Sequence, residues 1–559
     1  AAYWLNQPVR IRREMPEPDE RNELMRLAEQ IWAFFEDHVN EENHWLPPDN
    51  VQIDPPNGTA HRTSPTNIGL YLASALAARD FGFIDTAGLI ERLERTWNTL
   101  ERLETWNGHL FNWIDTRTLE VLPPRYISSV DSGNLVCSMI AVKEGLAEWL
   151  ALDKKGLTEP VRRRGEALAE RMEAWIRRTD FSPLYDSTAQ LFSLGYNETH
   201  GRQDPVLYDL LASEARQTSF IAIALGQIPI AHWRRLGRSM TRAGGGYALV
   251  SWSGTMFEYL MPCLYMRTYG KTVWDHTCRA VVRKQAEYAA ERKVPFGISE
   301  SGYYAFDHQL NYQYRAFGVP GLGFQRGLEN DLVIAPYATM LALMFEPRLA
   351  VEHLRKLEAL GARGKYGFYE AADFTAERMP EGKTHQIVRS FMAHHQGMAL
   401  LSIVNVLMDG AMIRRFHRDK RVQAAEWLLQ ERMPARPRAI RKPAVTRTLA
   451  ANTSKSSRHG AFRDRHIPGK PDAVPETAVL SNGQLTTVVT DSGGGYVRLR
   501  KTALTRWSDD LARDGGGIAF YIRDTETNTF WSPSYEPARI PSPAQRVVFG
   551  WDRVTFMRE

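Results

Sequence analysis

From about residue 19 to residue 434, apolar residues recur at three- and four-residue spacing in one segment after another. Only an α-helix turns that period into a continuous buried stripe. The segments lie near 19–39, 67–82, 86–105, 133–151, 158–178 and 206–226, then near 256–292, 331–360, 386–409 and 411–434. Loops rich in Gly, Pro, Trp and Tyr separate them, such as Pro123-Pro124-Arg125-Tyr126 and Gly244-Gly245-Gly246-Tyr247. About a dozen helices in one block predict paired helices wound into an (α/α)6 barrel over residues 1–435. A superhelical solenoid would need a fixed repeat length, and the sequence has none.

The pattern changes after residue 435. Residues 436–474 carry Pro437, Pro443, Pro468 and Pro471 among Ser, Thr and Arg, the profile of a basic linker. From residue 475 to residue 559 the runs become short and β-like: 478–480, 485–489 and 518–522, with Asn482-Gly483 and Asp514-Gly515 as turn signals. The chain is therefore expected to be mainly α, an (α/α)6 barrel followed by a linker and a truncated β-sandwich.

Charge follows the same division. The net charge is +5, but residues 431–470 alone carry eleven Lys or Arg against Glu431 and Asp464, so the remainder is net negative. Basicity confined to a linker gives no footprint for nucleic acid. Three scattered cysteines, Cys137, Cys263 and Cys278, suit neither a disulfide framework nor a zinc site and fit a reducing compartment. The longest apolar run, 398–408, is broken by Ser402 and Asn405 and reads as a buried helix, too short for a bilayer span. Residues 1–8 lack a signal-peptide layout, and a start without Met suggests a piece of something longer.

Three carboxylates stand in contexts suited to chemistry. Helical spacing from residue 206 would put Glu214 on the face of Leu207, Leu211, Thr218, Ile221 and Leu225. An acid on a largely apolar face loses hydration and holds its proton, as a general acid must. The alternative is a salt bridge to Arg216 or to a neighbouring helix. Glu300 sits in a loop between Gly297 and Gly302 and precedes Tyr303, Tyr304 and Phe306, a possible sugar-stacking wall, or else it is an exposed loop acid. Glu258 follows a Gly turn beside Trp252 and reads equally as a reserve catalytic acid or as a helix-start carboxylate. His394 and His395, in a helix beside Arg389 and Met392, point to different faces and suit hydrogen bonding or the core better than a shared metal. Cleavage at a glycosidic bond takes two carboxyl groups flanking it, and Glu214 and Glu300 offer such a pair.

The runs YDLLASEARQTSFIAIALGQIP with HWRRLGR, LVSWSGTMFEYLMPCL, GISESGYYAFD, YQYRAFGVPGLG and VRSFMAHHQGM together resemble the cyclic β-1,2-glucan synthases, specifically their central barrel. The resemblance covers residues 1–435. The stretch from residue 475 resembles the first strands of the phosphorylase-like module that follows the barrel in that family.

The resemblance implies anomer-retaining transglycosylation of linear β-1,2-glucan to a cyclic product through a covalent glycosyl-enzyme. It implies Glu214 as acid/base and Glu300 as nucleophile, in roles that could be exchanged, or with Glu258 replacing one of them. Trp233, Trp252, Tyr303 and Tyr304 are the candidates for the acceptor wall, and Asp131 and Arg315 for sugar hydroxyls. No cofactor or metal is implied. The implied partners are the β-1,2-glucan chain, an upstream UDP-glucose-dependent transferase and a downstream phosphorylase-like module of the same polypeptide. The implied location is the cytoplasmic side of a bacterial inner membrane, with this piece itself soluble. An inverting endo-β-1,2-glucanase and a non-catalytic glucan-binding or assembly module are the alternatives.

Overall fold

A computed structural model describes residues 15–153, 156–307, 309–380, 382–440, 465–468, 476–500, 502–505, 519–540, 542, 544–550 and 553–558. The chain divides into two compact units, Ala1–Val445 and Thr446–Glu559. In the first unit two kinds of helix alternate. Helices α1 (Pro18–His38), α3 (Thr86–Leu100), α5 (Glu159–Arg178) and α11 (Pro347–Ala359) are amphipathic, each burying one stripe. In α3 the stripe is Leu89, Ile90, Leu93, Thr96, Trp97 and Leu100.

The other kind is buried almost all round. Every residue of α2 (Pro65–Phe81) from Pro65 to Ala78 is buried, and so is all of α12 (Ala393–Leu407) except His394. These two pack on one another, and α4 (Ser129–Leu152) packs against α2 and against α6 (Ala215–Ala224). The remaining helices are the short α7 (Ala231–Arg235) and α8 (Met256–Leu260), then α9 (Val273–Arg292), α10 (Pro336–Ala342), α13 (Ala411–Phe416) and α14 (Lys420–Ala425). An inner layer without a polar face, wrapped by amphipathic partners, is how a helical domain closes around one core. No described helix is long and apolar enough to cross a membrane, and all three cysteines are buried and free.

Several periodic segments are not single helices. The stretch near 206–226 is a strand, Leu207–Tyr208, then a loop, then α6 from Ala215. The stretch near 386–409 opens with a strand, Gln386–Met392, paired antiparallel with Asn50–Asp54, so Arg389 and Met392 are not in the helix of His394 and His395. The segment near 256–292 breaks after α8 and resumes at Val273, and that near 331–360 breaks between α10 and α11. The apolar residues of Gln386–Met392 fall at 387, 388, 391 and 392, a helical spacing, and cross-strand pairing overrides it.

The inner layer tolerates little added volume. A Cβ placed on Gly133 of α4 would lie 2.8 Å from the Cα of Thr218 on α6. Gly133→Ala should therefore destabilise the first unit by about 1–3 kcal/mol, read as a lower midpoint in urea. A midpoint equal to that of the unsubstituted protein would show that α4 and α6 can part at no cost.

The second unit is a set of small antiparallel sheets. Thr477–Ser481, Leu485–Thr490, Gly495–Leu499 and Thr502–Ala503 form one, and Arg465–Pro468, Arg546–Phe549 and Val554–Met557 another. Between the first two strands Asn482 Oδ1 accepts from the backbone N–H groups of Gln484 and Leu485, and Gly483 takes φ 85°. Ala478, Val547 and Phe549 make a small shared core. Asp514-Gly515 and most of residues 436–474 lie outside the described residues.

Candidate active site

The first turns of six buried helices contribute polar side chains to one neighbourhood: Asn67 of α2, Asp131 of α4, Glu214 before α6, Glu258 of α8, Tyr337 of α10, and His394 and His395 of α12. Their contacts and mutual fields tie them together. Asn67 donates to Asp49, whose charge reaches His394 and His395. Asp131 acts on His394 and on Glu300, Tyr337 feels Glu300, Glu370 and Glu214, and Glu214 feels Glu258 and Glu300.

Glu214 stands at the N-cap of α6 rather than within the helix, with Ser213 beside it (Oγ to Oε2 3.5 Å). A helix N-terminus favours a carboxylate. Burial nevertheless raises its proton affinity, and the charges of Glu258 and then Glu300 add to the effect, so its pKa is pushed up to about 8. It is half-buried, with protein close on most sides and solvent reaching the rest. The bland alternative, an ion pair with Arg216, is not what forms: the Arg216 guanidinium lies over Trp274 at 3.7 Å.

Glu300 leads from a loop into the hairpin of Ser301–Phe306 and Tyr312–Arg315. Its backbone is fixed by Tyr337, whose hydroxyl hydrogen-bonds the Glu300 carbonyl at 2.8 Å and Ser299 Oγ at 2.9 Å. Gly297 takes φ 136°, where a Cβ would meet Thr339 Oγ1 at 2.5 Å. Burial pushes the Glu300 pKa up to about 7 against a hydrogen bond from Tyr314, which favours the anion, while Glu258, Asp131 and Glu370 add like charge.

Tyr314 belongs to a supporting chain that sequence reasoning missed. Its hydroxyl lies 3.3 Å from His394 Nε2 and 3.4 Å from His395 Nε2. His395 Nδ1 lies 2.9 Å from Glu370 Oε2, and Glu370 Oε1 accepts from the Gly302 N–H at 2.9 Å. The ring of Tyr337 stacks on His395 with centroids 3.7 Å apart. Burial holds both histidines neutral, lowering the His394 pKa to about 3, and raises that of Glu370 to about 7. The two histidines thus converge on one tyrosine from the first turn of α12. The signal for Glu370 was available: an acid before Ala371-Ala372, amid apolar residues.

Glu258 is committed to the backbone. Its carboxylate accepts from Ser251 Oγ (2.9 Å), Trp252 N (3.1 Å), Ser253 N (3.1 Å), Thr255 N (2.9 Å) and Thr255 Oγ1 (3.1 Å), closing a capping box. Such a carboxylate holds a turn and projects a charge but has few lone pairs left for substrate. Its pKa is raised, with burial outweighing those bonds. Glu258→Ala should leave several buried donors unpaired and cost about 3 kcal/mol or more of stability, measurable by thermal melting.

The other candidates divide. Asp131, held in the first turn of α4 by Ser128, adds its charge to Glu300, and Tyr208 feels both Glu214 and Asp131. Trp252 is 49% exposed, and its Nε1–H donates to Asp209 at 3.0 Å. Trp233 is a correction: at 3% exposure it packs edge-on against Phe220 and offers no free face. Tyr303 and Tyr304 do not share a wall, because neighbours on a strand alternate sides. Tyr303 packs on Phe317 beneath Arg315 and Arg378, whereas Tyr304 meets Phe306 and Tyr312. Arg315 is engaged by Asp331, which Arg378 also binds, so it serves an ion network.

A hollow of about 480 Å³ opens beside Tyr314, Gly302 and Glu370, lined further by Asn50, Gln52 and Asn311. Its size and polar lining suit a sugar. No group of three or more His, Cys, Asp or Glu among the described residues is arranged to hold a metal ion.

Comparison with known proteins finds relatives for both units. The family described as "Putative glucoamylase" matches residues 207–420, and "Glycosyl hydrolase 94, supersandwich domain" matches residues 464–559. The cyclic beta-(1,2)-glucan synthase NdvB of Rhizobium meliloti (strain 1021) is 36% identical over 671 aligned positions, which take in 100% of this chain and 24% of the synthase. The chain therefore spans about a quarter of that relative. Among solved structures, an endo-beta-1,2-glucanase from Chitinophaga pinensis in complex with sophorotriose and glucose superposes with a TM-score of 0.58 at 17% identity, over 73% of this chain and 98% of its own. A Talaromyces funiculosus endo-beta-1,2-glucanase in complex with sophorose gives 0.57 at 12%, over 74% and 92%. At those identities the likeness is one of fold.

Proposed function

Proceeding from a chain related along its whole length to a cyclic β-(1,2)-glucan synthase, we propose that it carries out anomer-retaining transglycosylation of linear β-1,2-glucan, closing the chain into a ring. It is a glycosyl-transferring enzyme of glycoside-hydrolase type. One observation carries the assignment: Glu214 feels the charge of Glu300, and burial with like charge pushes Glu214 up to about 8 while Glu300, hydrogen-bonded by Tyr314, reaches about 7. Two such carboxyls release their protons in sequence. Near neutrality Glu300 is the one that ionises and Glu214 the one that keeps its proton.

The Glu214 proton then passes to the departing glycosidic oxygen as the Glu300 carboxylate attacks the anomeric carbon, giving a glycosyl ester. Glu214, now ionised, takes the proton of the chain's own non-reducing-end hydroxyl as that oxygen displaces Glu300. Asp131 and Trp252 would bind sugar. Glu258 acts through its charge, which raises the proton affinity of Glu214 and Glu300.

We read residues 1–435, within the first unit, as an (α/α)6 barrel, supported by six buried helices whose first turns meet at the site. We read residues 436–474 as a linker and 475–559 as the opening strands of a β-sandwich leading into a phosphorylase-like module. A UDP-glucose-dependent transferase elsewhere in a membrane-embedded parent polypeptide would supply the glucan.

The fold shared with endo-β-1,2-glucanases favours one rival, inverting hydrolysis. The fate of the attacked anomeric carbon settles the choice, since retaining cyclisation carries it into a β-linkage of the ring with no new reducing end, whereas inverting hydrolysis releases it as an α-configured reducing end. We expect proton NMR at early times, before mutarotation, to show no growth of an α-anomer signal; a new α reducing end would exclude the covalent route.

A further inference from the structure

A second hollow, of about 500 Å³, adjoins the first at Tyr312, which lines both. One wall is aromatic: Tyr304 and Phe306 meet edge-on at 5.3 Å, and Phe306 and Tyr312 lie 4.8 Å apart at 34°. Polar residues complete the lining, among them His385, Gln386 and Arg389, the last two on the strand Gln386–Met392. Aromatic rings together with hydrogen-bonding side chains match a pyranose, which has C–H faces and a rim of hydroxyls.

The position matters as much as the lining. Gly302 pairs with Tyr314 across the hairpin, and Phe306 with Tyr312. The face of the hairpin that begins beside Glu300 therefore continues to the second hollow. A glucan leaving the reacting centre past Tyr314 and through the first hollow meets Tyr312 next, and then Tyr304 and Phe306.

We infer that this second hollow is a remote glucan-binding subsite, which grips the chain away from the reacting bond and makes the enzyme favour long chains. The inference rests on the reading that the chain acts on β-1,2-glucan. A polymer held at one point presents its next segment at high effective concentration to a second, so the gain belongs only to chains long enough to reach both.

The test compares kcat/KM on a long linear β-1,2-glucan with kcat/KM on the shortest one turned over. The double variant Tyr304→Ala, Phe306→Ala should lower the long-to-short ratio about tenfold, and Arg389→Ala, in the polar lining, should lower it in the same direction. Arg389 is exposed and its side chain forms no ion pair among the described residues, so its replacement keeps the test readable if the aromatic variant fails to fold. An unchanged ratio in folded variants overturns the subsite. Inactivity of the unsubstituted protein on every β-1,2-glucan would instead count against the proposed function. The subsite is then read by calorimetric titration of long glucan into Glu214→Gln, with and without Phe306→Ala. About tenfold weaker binding with Phe306→Ala supports it; equal binding, or none in either protein, overturns it.

Discussion

Glu300→Gln should reduce glucan transfer by about 10³-fold or more, and Glu214→Gln by a comparable factor, with the two together losing little beyond either alone. The pair acts as a unit, because without the nucleophile the acid has no bond to assist. Both proteins should remain folded, and Glu214→Gln should melt higher than the unsubstituted protein at pH 8. The sign follows from linkage. The Glu214 carboxyl titrates near 4.5 when free and is pushed up to about 8 in the fold. Its folded state thus binds the extra proton between those values, and stability declines as pH rises through that window. An amide, which does not titrate, removes the decline. Activity lost through unfolding would appear as a lower melting temperature instead.

Tyr314→Phe should cost about 10–100-fold in kcat/KM, the worth of one hydrogen bond to a charged group. Its more telling effect is on pH dependence. The acid limb of the profile reports ionisation of Glu300 and the alkaline limb loss of the Glu214 proton, so activity should peak between pH 7 and 8. Removing a bond that favours the Glu300 anion raises its pKa and moves the acid limb to higher pH, narrowing the profile. Glu370→Gln disturbs the contact through His395 to Tyr314 but also removes a like charge that raises the Glu300 pKa, so the two effects oppose and the same limb should shift by less. A uniform loss of rate with both limbs in place would make Tyr314 a packing residue.

Much of this arrangement was legible in the sequence. The helical period located most of the helices, because a buried stripe leaves its three- and four-residue spacing in the residues themselves. Glu300 was marked by its glycines, since Gly302 leaves just enough room for Glu370 and Gly297 turns where a side chain would collide. What was lost came from longer range. Glu214 looked helical because the apolar spacing ran unbroken through a strand and a loop. Trp233 and Trp252 have the same composition signal, yet one is in the core and the other on the rim. Tyr303 and Tyr304 are adjacent in sequence and therefore opposite on a strand. The chain from Glu370 through His395 to Tyr314 joins three distant segments, and no local pattern announces such a contact.

The most direct measurement is incubation with linear β-1,2-glucan followed by mass spectrometry of the products. Closing a chain on itself expels no water from the medium but releases the reducing-end segment, so each cyclic product is lighter by one water than the linear glucan of equal length. The proposed mechanism predicts a series of such products that Glu300→Gln does not make. A series of shorter linear glucans alone, each carrying its full complement of water, would contradict it.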